Sequence, residues 1–474
     1  MKATTAIKAL VLTASILHSP FSIFNSAAQA AVIEQVIVRQ QWPWSTDVKV
    51  EYKVTGITTP VNIGVRAFNG DVELSSPTLA AAIKGDLFGI AEDGVGTFVI
   101  DPVKAFGTSK VALANFKVKL SLSDAPANIN EVLYRIVDLD SGSITDVKRA
   151  DFYGNKYGTY EVSYQAVRGI NTRLSDVFIW TGVTNDPAYV TSKLALRRIP
   201  AASFGSWLMG DTGVHSYTAT FYSGMTQHRV RLTEDYFISV FPVTQAQYER
   251  LTGTRGFGSY TNKADYPLND AYPANAEWWD IRGIESWPDS HDVDAAKFFG
   301  LLRTRTGGSV LFDLPTEAQW ELACRAGWDE NEAYSGVASL GYSALLQLGW
   351  CKTTNGDQGH DGTKHPVGKL LPTAFGMYDM LGNGREWCLD LRYDSGSDYA
   401  WTSTTEPEVD PVGAPKAEST ANSAGHRYHC ARSTVETQKQ SENNICVRTH
   451  SIGHTVSTAT TKYHYNFRVC CGAE

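Results

Sequence analysis

Hydrophobic patterning changes character part-way along this 474-residue chain, and the change limits what each part can fold into. From Val32 to about Asp140, apolar residues recur at every second position. Val48, Val50, Tyr52 and Val54 alternate with polar neighbours, as do Val61, Ile63 and Val65, and later Phe116, Val118, Leu120 and Leu122. A strand with this period turns one face to a core and the other to water. Asn69-Gly70 ends the second run with a dipeptide that tolerates the positive φ of a tight hairpin turn. Short alternating strands separated by turn residues predict a small antiparallel β-sandwich over residues 31–140. Residues 141–192, rich in Gly, Ser, Asp and Tyr without a sustained period, read as a connecting region.

Beyond residue 192 the two-residue period gives way to short helical signals set in long irregular stretches. Thr244 with Gln247, and Thr316 with Gln319, each form a capping box, in which the two side chains satisfy free amides at a helix start. Gly253 and Gly327 stand where each helix would end in a left-handed cap. A third helix is predicted from about Val293 to Arg305, introduced by Asp292. A loop-rich unit needs large rigid packing groups, and Trp278, Trp279, Trp287, Trp320, Trp350 and Trp387 supply them.

Residues 1–30 have the order of an export signal: Lys2 and Lys8, an apolar run from Ala9 to Leu17, and Ala28-Gln29-Ala30 as a small-residue cleavage site. The expectation is an exported protein, periplasmic or extracellular, with no membrane span, because the apolar run is too short and no later segment is longer. Removing these residues leaves 40 basic against 50 acidic side chains. That acidic balance disfavours nucleic acid and anionic membranes as partners, since both select basic surfaces. All seven cysteines lie between Cys324 and Cys471, so packing alone must hold the first half. Bridging the adjacent Cys470 and Cys471 would strain a disulfide, so at least one is expected to be a buried thiol or to pair elsewhere.

Six stretches of the second half keep a common order and spacing. They are Ile199 to Phe204 (IPAASF), Phe241 to Tyr248 (FPVTQAQY), Leu314 to Glu321 (LPTEAQWE), Phe375 to Met380 (FGMYDM), Gly382 to Trp387 (GNGREW) and Asn466 to Val469 (NFRV). Together they resemble the sulfatase-modifying factor, or formylglycine-generating enzyme, family. The resemblance implies an α+β fold over residues 193–474, related to C-type lectins and low in regular secondary structure.

The segment from Tyr378 to Trp387 is the sharpest local candidate for chemistry. Two carboxylates seven residues apart, bracketing glycines that free the backbone, can gather oxygens around one hard cation. The bland alternative is a turn with Glu386 bonded to loop amides. In the family, the matching turn binds calcium through an acid or amide side chain, two carbonyls and a Glu; carried over, these are Asp379, Gly382, Gly384 and Glu386. Calcium is therefore the expected cofactor.

The family's catalytic cysteines, five residues apart after an Arg-Gly-Gly-Ser segment, bind copper. Here the segment reads Cys430-Ala431-Arg432-Ser433, and the positions implied for the thiols hold Glu436 and Ser441. Neither supplies a soft thiolate, so copper is not expected. Ser433, Cys430 and Cys446 are the candidate catalytic residues that remain. Arg385 stands where the family usually has Trp. No Gly-x-Ser-x-Gly, phosphate loop or dinucleotide fingerprint occurs, which leaves hydrolase, kinase and Rossmann readings without support.

Two functions fit this sequence. One is an exported protein-modifying oxidoreductase that has diverged from the family. The other is a non-catalytic binding protein on the lectin-like scaffold, with segment 426–466 as its recognition surface. That segment is crowded with Thr, Ser, His, Asn and Gln, which make adaptable polar contacts to a protein, peptide or carbohydrate.

Overall fold

The computed structural model describes residues 31–40, 42–75, 78–79, 82–85, 87–108, 111–112, 115–153, 156–162, 174, 176–210, 228–255, 269–326, 347–350, 364–390, 406–413 and 465–473. The backbone alone is described at 10–11, 391, 426–430 and 452–455. The chain divides into two compact units, residues 1–132 with 147–159, and residues 133–146 with 160–474.

The first unit contains two antiparallel sheets around one apolar core. One sheet runs in the order Leu10–Val11, Val32–Gln40, Val48–Thr55, Gly94–Ile100 and Ile83–Gly85. The other runs Val72–Glu73, Val61–Asn69 and Phe116–Asp124. Alternation decides which side chains go inside: Val48, Val50, Tyr52 and Val54 are buried, while Lys49 and Lys53 between them are exposed. They join Phe98 of their own sheet and Ile63, Ala67, Phe116 and Val118 of the other in a single cluster. Asn69-Gly70 makes the expected turn, with Asn69 paired to Val72 and Gly70 at φ 64°.

The second unit is built on a five-stranded sheet in the order Ile144–Lys148, Val132–Asp138, Lys193–Ile199, Tyr236–Ser239 and Cys470–Gly472. The boundary expected near Asp140 therefore falls inside a hairpin that belongs largely to this unit, and the connecting region expected over 141–192 is divided between the units. The physical reason lies in Val132–Asp138, whose residues from Leu133 to Val137 are all buried. A strand covered on both faces has no alternation to mark it. The one charged residue in that buried run, Arg135, is matched by Asp146 across the hairpin at 2.8 Å.

Both capping boxes form. Thr244 Oγ1 accepts from Gln247 N at 3.2 Å while Gln247 Oε1 accepts from Thr244 N at 2.9 Å, starting the helix Gln245–Thr252. Thr316 and Gln319 repeat the arrangement at 3.2 and 2.9 Å for the helix Glu317–Arg325. Gly253 caps the first at φ 73°. Ala326, at φ 47°, takes the left-handed position of the second, one residue earlier than expected; Gly327 lies outside the described residues. Ala326 is fully buried in the core, and the fold holds a small side chain there against a local conformational cost of about 1–2 kcal/mol.

The third helix is Phe298–Arg305, so its start lies five residues later than the sequence suggested. The backbone before it is engaged elsewhere: Asp294 N donates to Arg282 O at 2.8 Å, and Asp292 O accepts from Ser286 Oγ at 2.6 Å. A smaller sheet, in the order Ile452–Thr455, His426–Cys430, Arg385–Leu391 and Tyr465–Phe467, carries the turn described below. Among the described residues, no helix is long and apolar enough to cross a membrane.

Candidate functional site

The turn from Tyr378 to Glu386 is a run of residues in left-handed backbone conformations: Asp379 at φ 55°, Gly382 at 82°, Asn383 at 57° and Gly384 at 143°. Two of the glycines are required by close approach. Gly382 pairs with Trp350, and a Cβ there would lie 1.9 Å from the Trp350 carbonyl oxygen. A Cβ on Gly384 would lie 2.0 Å from Lys364 Nζ and 2.3 Å from Asn466 Nδ2. Gly382 thus lets the turn close on the Trp350 backbone, and Gly384 lets it reach two side chains from distant segments.

The curled backbone sets both carboxylates inside the protein. Asp379 is 2% exposed; its Oδ1 accepts from Trp350 Nε1 at 2.9 Å and its Oδ2 from Gly368 N at 2.7 Å. Burial pushes its pKa up to about 6, against the lowering effect of those two donors and of Arg468. Glu386 is fully buried, and its Oε2 accepts from Trp320 Nε1 at 2.7 Å and from Arg468 Nε at 2.8 Å. Its Oε1 is buried with no hydrogen-bond partner.

Arg468 joins this acid to the rest of the unit. Its Nη1 donates to Ser239 O and Val240 O, each at 2.9 Å, and its Nη2 donates to Tyr378 O at 2.6 Å. Lys364, also fully buried, donates from Nζ to Asn466 Oδ1 at 2.7 Å. Burial depresses the Lys364 pKa well below its ordinary value, while the charges of Glu386 and Asp379 pull it back. Asn383 completes the set, exchanging two hydrogen bonds with the His365 backbone at 3.0 and 3.1 Å and accepting at its own carbonyl from Asn466 Nδ2 at 3.2 Å.

The calcium expected from Asp379, Gly382, Gly384 and Glu386 does not fit this arrangement. A calcium ion gathers about six to eight oxygens. Three of the four carboxylate oxygens here already accept from N–H groups held by packing. Two protein cations, Lys364 and Arg468, already act on the same two acids, and a divalent ion beside them would be repelled with little solvent to screen it. Among the described residues, no group of three or more His, Cys, Asp or Glu side chains comes together as a metal site.

The candidate catalytic residues fall elsewhere. The backbone of Cys430 lies opposite Glu386 in the sheet, and that of His429 opposite Trp387. Ser433, Cys446 and the positions Glu436 and Ser441 lie outside the described residues. Four other thiols are described: Cys324, Cys388, Cys470 and Cys471 are all buried and unbridged. Burial pushes Cys324 and Cys470 well above the usual thiol range and Cys471 up to about 11, although Arg135 beside Cys471 lowers it in part. Arg385, in the place of the usual Trp, lies 5.9 Å from the Tyr465 ring centroid.

The sequence profile described as "Sulfatase-modifying factor enzyme 1-like domain" matches residues 201–453. The chain belongs to that family. The formylglycine-generating enzyme of Bos taurus is 22% identical to it over 253 residues, covering 45% of this chain and 64% of that enzyme. The formylglycine-generating enzyme of Thermomonospora curvata is 30% identical over 188 residues, covering 36% and 60%. The chain thus spans less than two thirds of the length of these enzymes. Among solved structures, PvdO from Pseudomonas aeruginosa superposes with a TM-score of 0.39 at 18% identity, covering 59% of this chain and 94% of that one. The fold is the family's lectin-like α+β fold, preceded by a β-rich region.

Several residues that organise the site are not marked as site residues by the sequence; Trp320 and Trp350 are expected there only as packing groups. Trp320, Asn466 and Arg468 sit in stretches that mark the family, and a buried partner for each could have been sought there. Lys364 and Trp350 belong to none of those stretches, and nothing in their local pattern signals a buried ammonium or an indole donor for Asp379.

Proposed function

We propose that this chain is a binding protein on the family scaffold, with its recognition element in segment 426–466, and that it makes no formylglycine. The observation that carries this reading is the state of the thiols. All four described ones are buried, and the raised pKa values of Cys324, Cys470 and Cys471 keep those three protonated at neutral pH, when metal capture and nucleophilic attack both need a thiolate. Glu436 and Ser441 stand where the family's copper-binding cysteines would be. The segment begins on the strand His426–Cys430, which is hydrogen-bonded between Arg385–Leu391 and Ile452–Thr455. A strand paired on both sides gives the residues that follow it a fixed point of departure, and scaffolds commonly present binding residues from such elements.

The ligand proposed is a protein or peptide, matched by the segment's Thr, Ser, His, Asn and Gln side chains. Two measurements test the reading. Incubation with a Cys-x-Pro-x-Arg peptide, with and without copper, should give no aldehyde product by mass spectrometry; a turnover abolished by Cys430→Ser or Cys446→Ser would overturn it. Selection from a displayed peptide library should enrich binders that are lost when residues 431–451 are replaced by a Gly-Ser linker; binders that survive the replacement would move recognition elsewhere.

The same proposal places the protein outside the cytoplasm, on the basic, apolar and small-residue order of residues 1–30. N-terminal sequencing of secreted material should begin at Ala31, and material beginning at Met1 would remove this part.

A further inference from the structure

We propose that the Lys364 ammonium is the built-in cation of the 379–386 turn, so that this fold carries its own replacement for a bound calcium ion. Two contacts and one unpaired oxygen lead there. The ammonium lies so close to Gly384 that a single added Cβ would meet Nζ at 2.0 Å. It is fully buried and donates to Asn466 Oδ1 at 2.7 Å. The remaining oxygen of the turn's second acid, Glu386 Oε1, is buried and unpaired, so that acid keeps negative charge that its hydrogen bonds leave uncancelled.

Lysine and turn are also one structural piece. His365, the residue after Lys364, exchanges both of its backbone hydrogen bonds with the Asn383 side chain, at 3.0 and 3.1 Å. Asn466 bridges the two from the other side, accepting from Lys364 and donating to the Asn383 carbonyl at 3.2 Å. The ammonium therefore cannot leave without the turn opening.

The charge balance gives the reason for the arrangement. Asp379 and Glu386 bring two negative charges into the core, and Arg468 satisfies one through a direct ion pair at 2.8 Å. A second cation must come from solution or from the chain, since burying an unmatched charge is costly. Glu386 and Asp379 both act electrostatically on Lys364, and this attraction opposes the cost of burying it. A monovalent ammonium completes neutrality with the two acids and Arg468, where a calcium ion in addition would leave an excess of positive charge.

The experiment is thermal unfolding of the full chain in chelator and in excess calcium. The wild type should melt at the same temperature in both, within ~1 °C, because a ligand that does not bind the folded state does not stabilise it. Lys364→Met should melt several degrees lower in chelator, and the double variant Lys364→Met/Glu386→Gln should lose less than the sum of the single losses, because the charge left unmatched is removed with it. A wild type that melts several degrees higher in calcium, with the gain lost in Asp379→Asn, would overturn the proposal. So would a Lys364→Met protein as stable as the wild type. Should Lys364→Met fail to fold, terbium added to the wild type decides: no emission sensitised by Trp320 or Trp350 is expected, and saturable emission displaced by calcium would overturn the assignment.

Discussion

The two units of this chain solve the same closure problem with opposite chemistry. In the first, the polar groups stay outside: Arg39–Glu51, Lys53–Glu34, Arg66–Glu73 and Lys117–Asp71 all pair where water reaches them, and Arg149–Glu131 is the more covered exception. Its interior is Val50, Tyr52, Ile63, Phe98 and their neighbours. In the second unit, charge goes inside, with Arg282–Asp313, Arg325–Glu321 and Arg468–Glu386 each at most 5% exposed on either side. The difference follows from the amount of regular structure. Ladders in a sandwich satisfy backbone carbonyls locally. A unit made largely of loops must satisfy them with side chains, because a buried unpaired carbonyl costs about as much as a lost hydrogen bond. Arg468 does this for Ser239, Val240 and Tyr378 at once.

The comparison breaks most visibly at Arg468. Arg468→Met keeps the apolar stem but frees three carbonyls and leaves Glu386 short of its ion pair. Breaking one side of a buried pair costs about 3–5 kcal/mol. Urea unfolding should show a loss of that size, or no folded second unit at all, while hydrogen exchange of Val48–Thr55 stays slow. A loss under 1 kcal/mol would mean that the buried charges do not hold the second unit together.

The same contrast explains what could be read from the sequence. Alternation from Val48 to Val54, the turn at Asn69-Gly70 and the capping boxes at Thr244 and Thr316 all act within a few residues, so the pattern and its physical cause occupy the same window. The family stretches, such as Gly382 to Trp387, added the fold of the second unit. Arg468 meets Ser239 across 229 positions and Glu386 across 82, and no local period encodes such a meeting. Lys364 shows the same limit at the site. Two acids around glycines mark a place for a cation, and in the assignment proposed above that cation is a lysine from another segment. The helix starts at Phe298, later than its local pattern implies, because Asp294 is engaged by Arg282, a contact twelve residues away that local propensity does not contain.

The next largest effect sharpens the contrast through pH. Asp379 has a pKa of about 6 in the fold against an ordinary 3.8, because burial penalises its charged form more than Gly368, Trp350 and Arg468 favour it. A carboxyl whose pKa rises on folding gives stability that is complete below the unfolded value and lost as pH climbs through the folded one. Between about pH 4 and 6.5, the wild type should therefore lose stability relative to Asp379→Asn, by about 2–3 kcal/mol. Urea titrations of both proteins across that range measure the difference, and parallel curves would show that Asp379 is better solvated than its burial implies. The exposed acids of the first unit should give no comparable slope.

In the first unit, loss of packing should outweigh loss of charge. Ile63 is 2% exposed in the sandwich core, and Ile63→Val removes one methylene, which in a close-packed interior costs about 1 kcal/mol. Hydrogen exchange at Val61–Asn69 should quicken correspondingly while Arg385–Leu391 is unchanged.

The smallest effect is expected at the sandwich's best-formed ion pair. Arg66 reaches Glu73 with two hydrogen bonds, Nε to Oε1 at 2.6 Å and Nη2 to Oε2, yet the side chains are 61% and 40% exposed. Water competes for both ends, salt screens the attraction, and ordering two long side chains costs entropy, so exposed pairs of this kind contribute little. Lys119 also lies 5.3 Å from the Phe68 ring centroid, as Arg66 does, so the ring keeps a cationic neighbour when the arginine is cut back. Arg66→Ala should leave the melting temperature unchanged at low and high salt alike, although Arg66 makes two hydrogen bonds to its acid where Arg468 makes one to Glu386. If it instead lowers the melting temperature at low salt by as much as Ile63→Val does, then exposed charge holds the sandwich as buried charge holds the second unit, and burial is not what separates them.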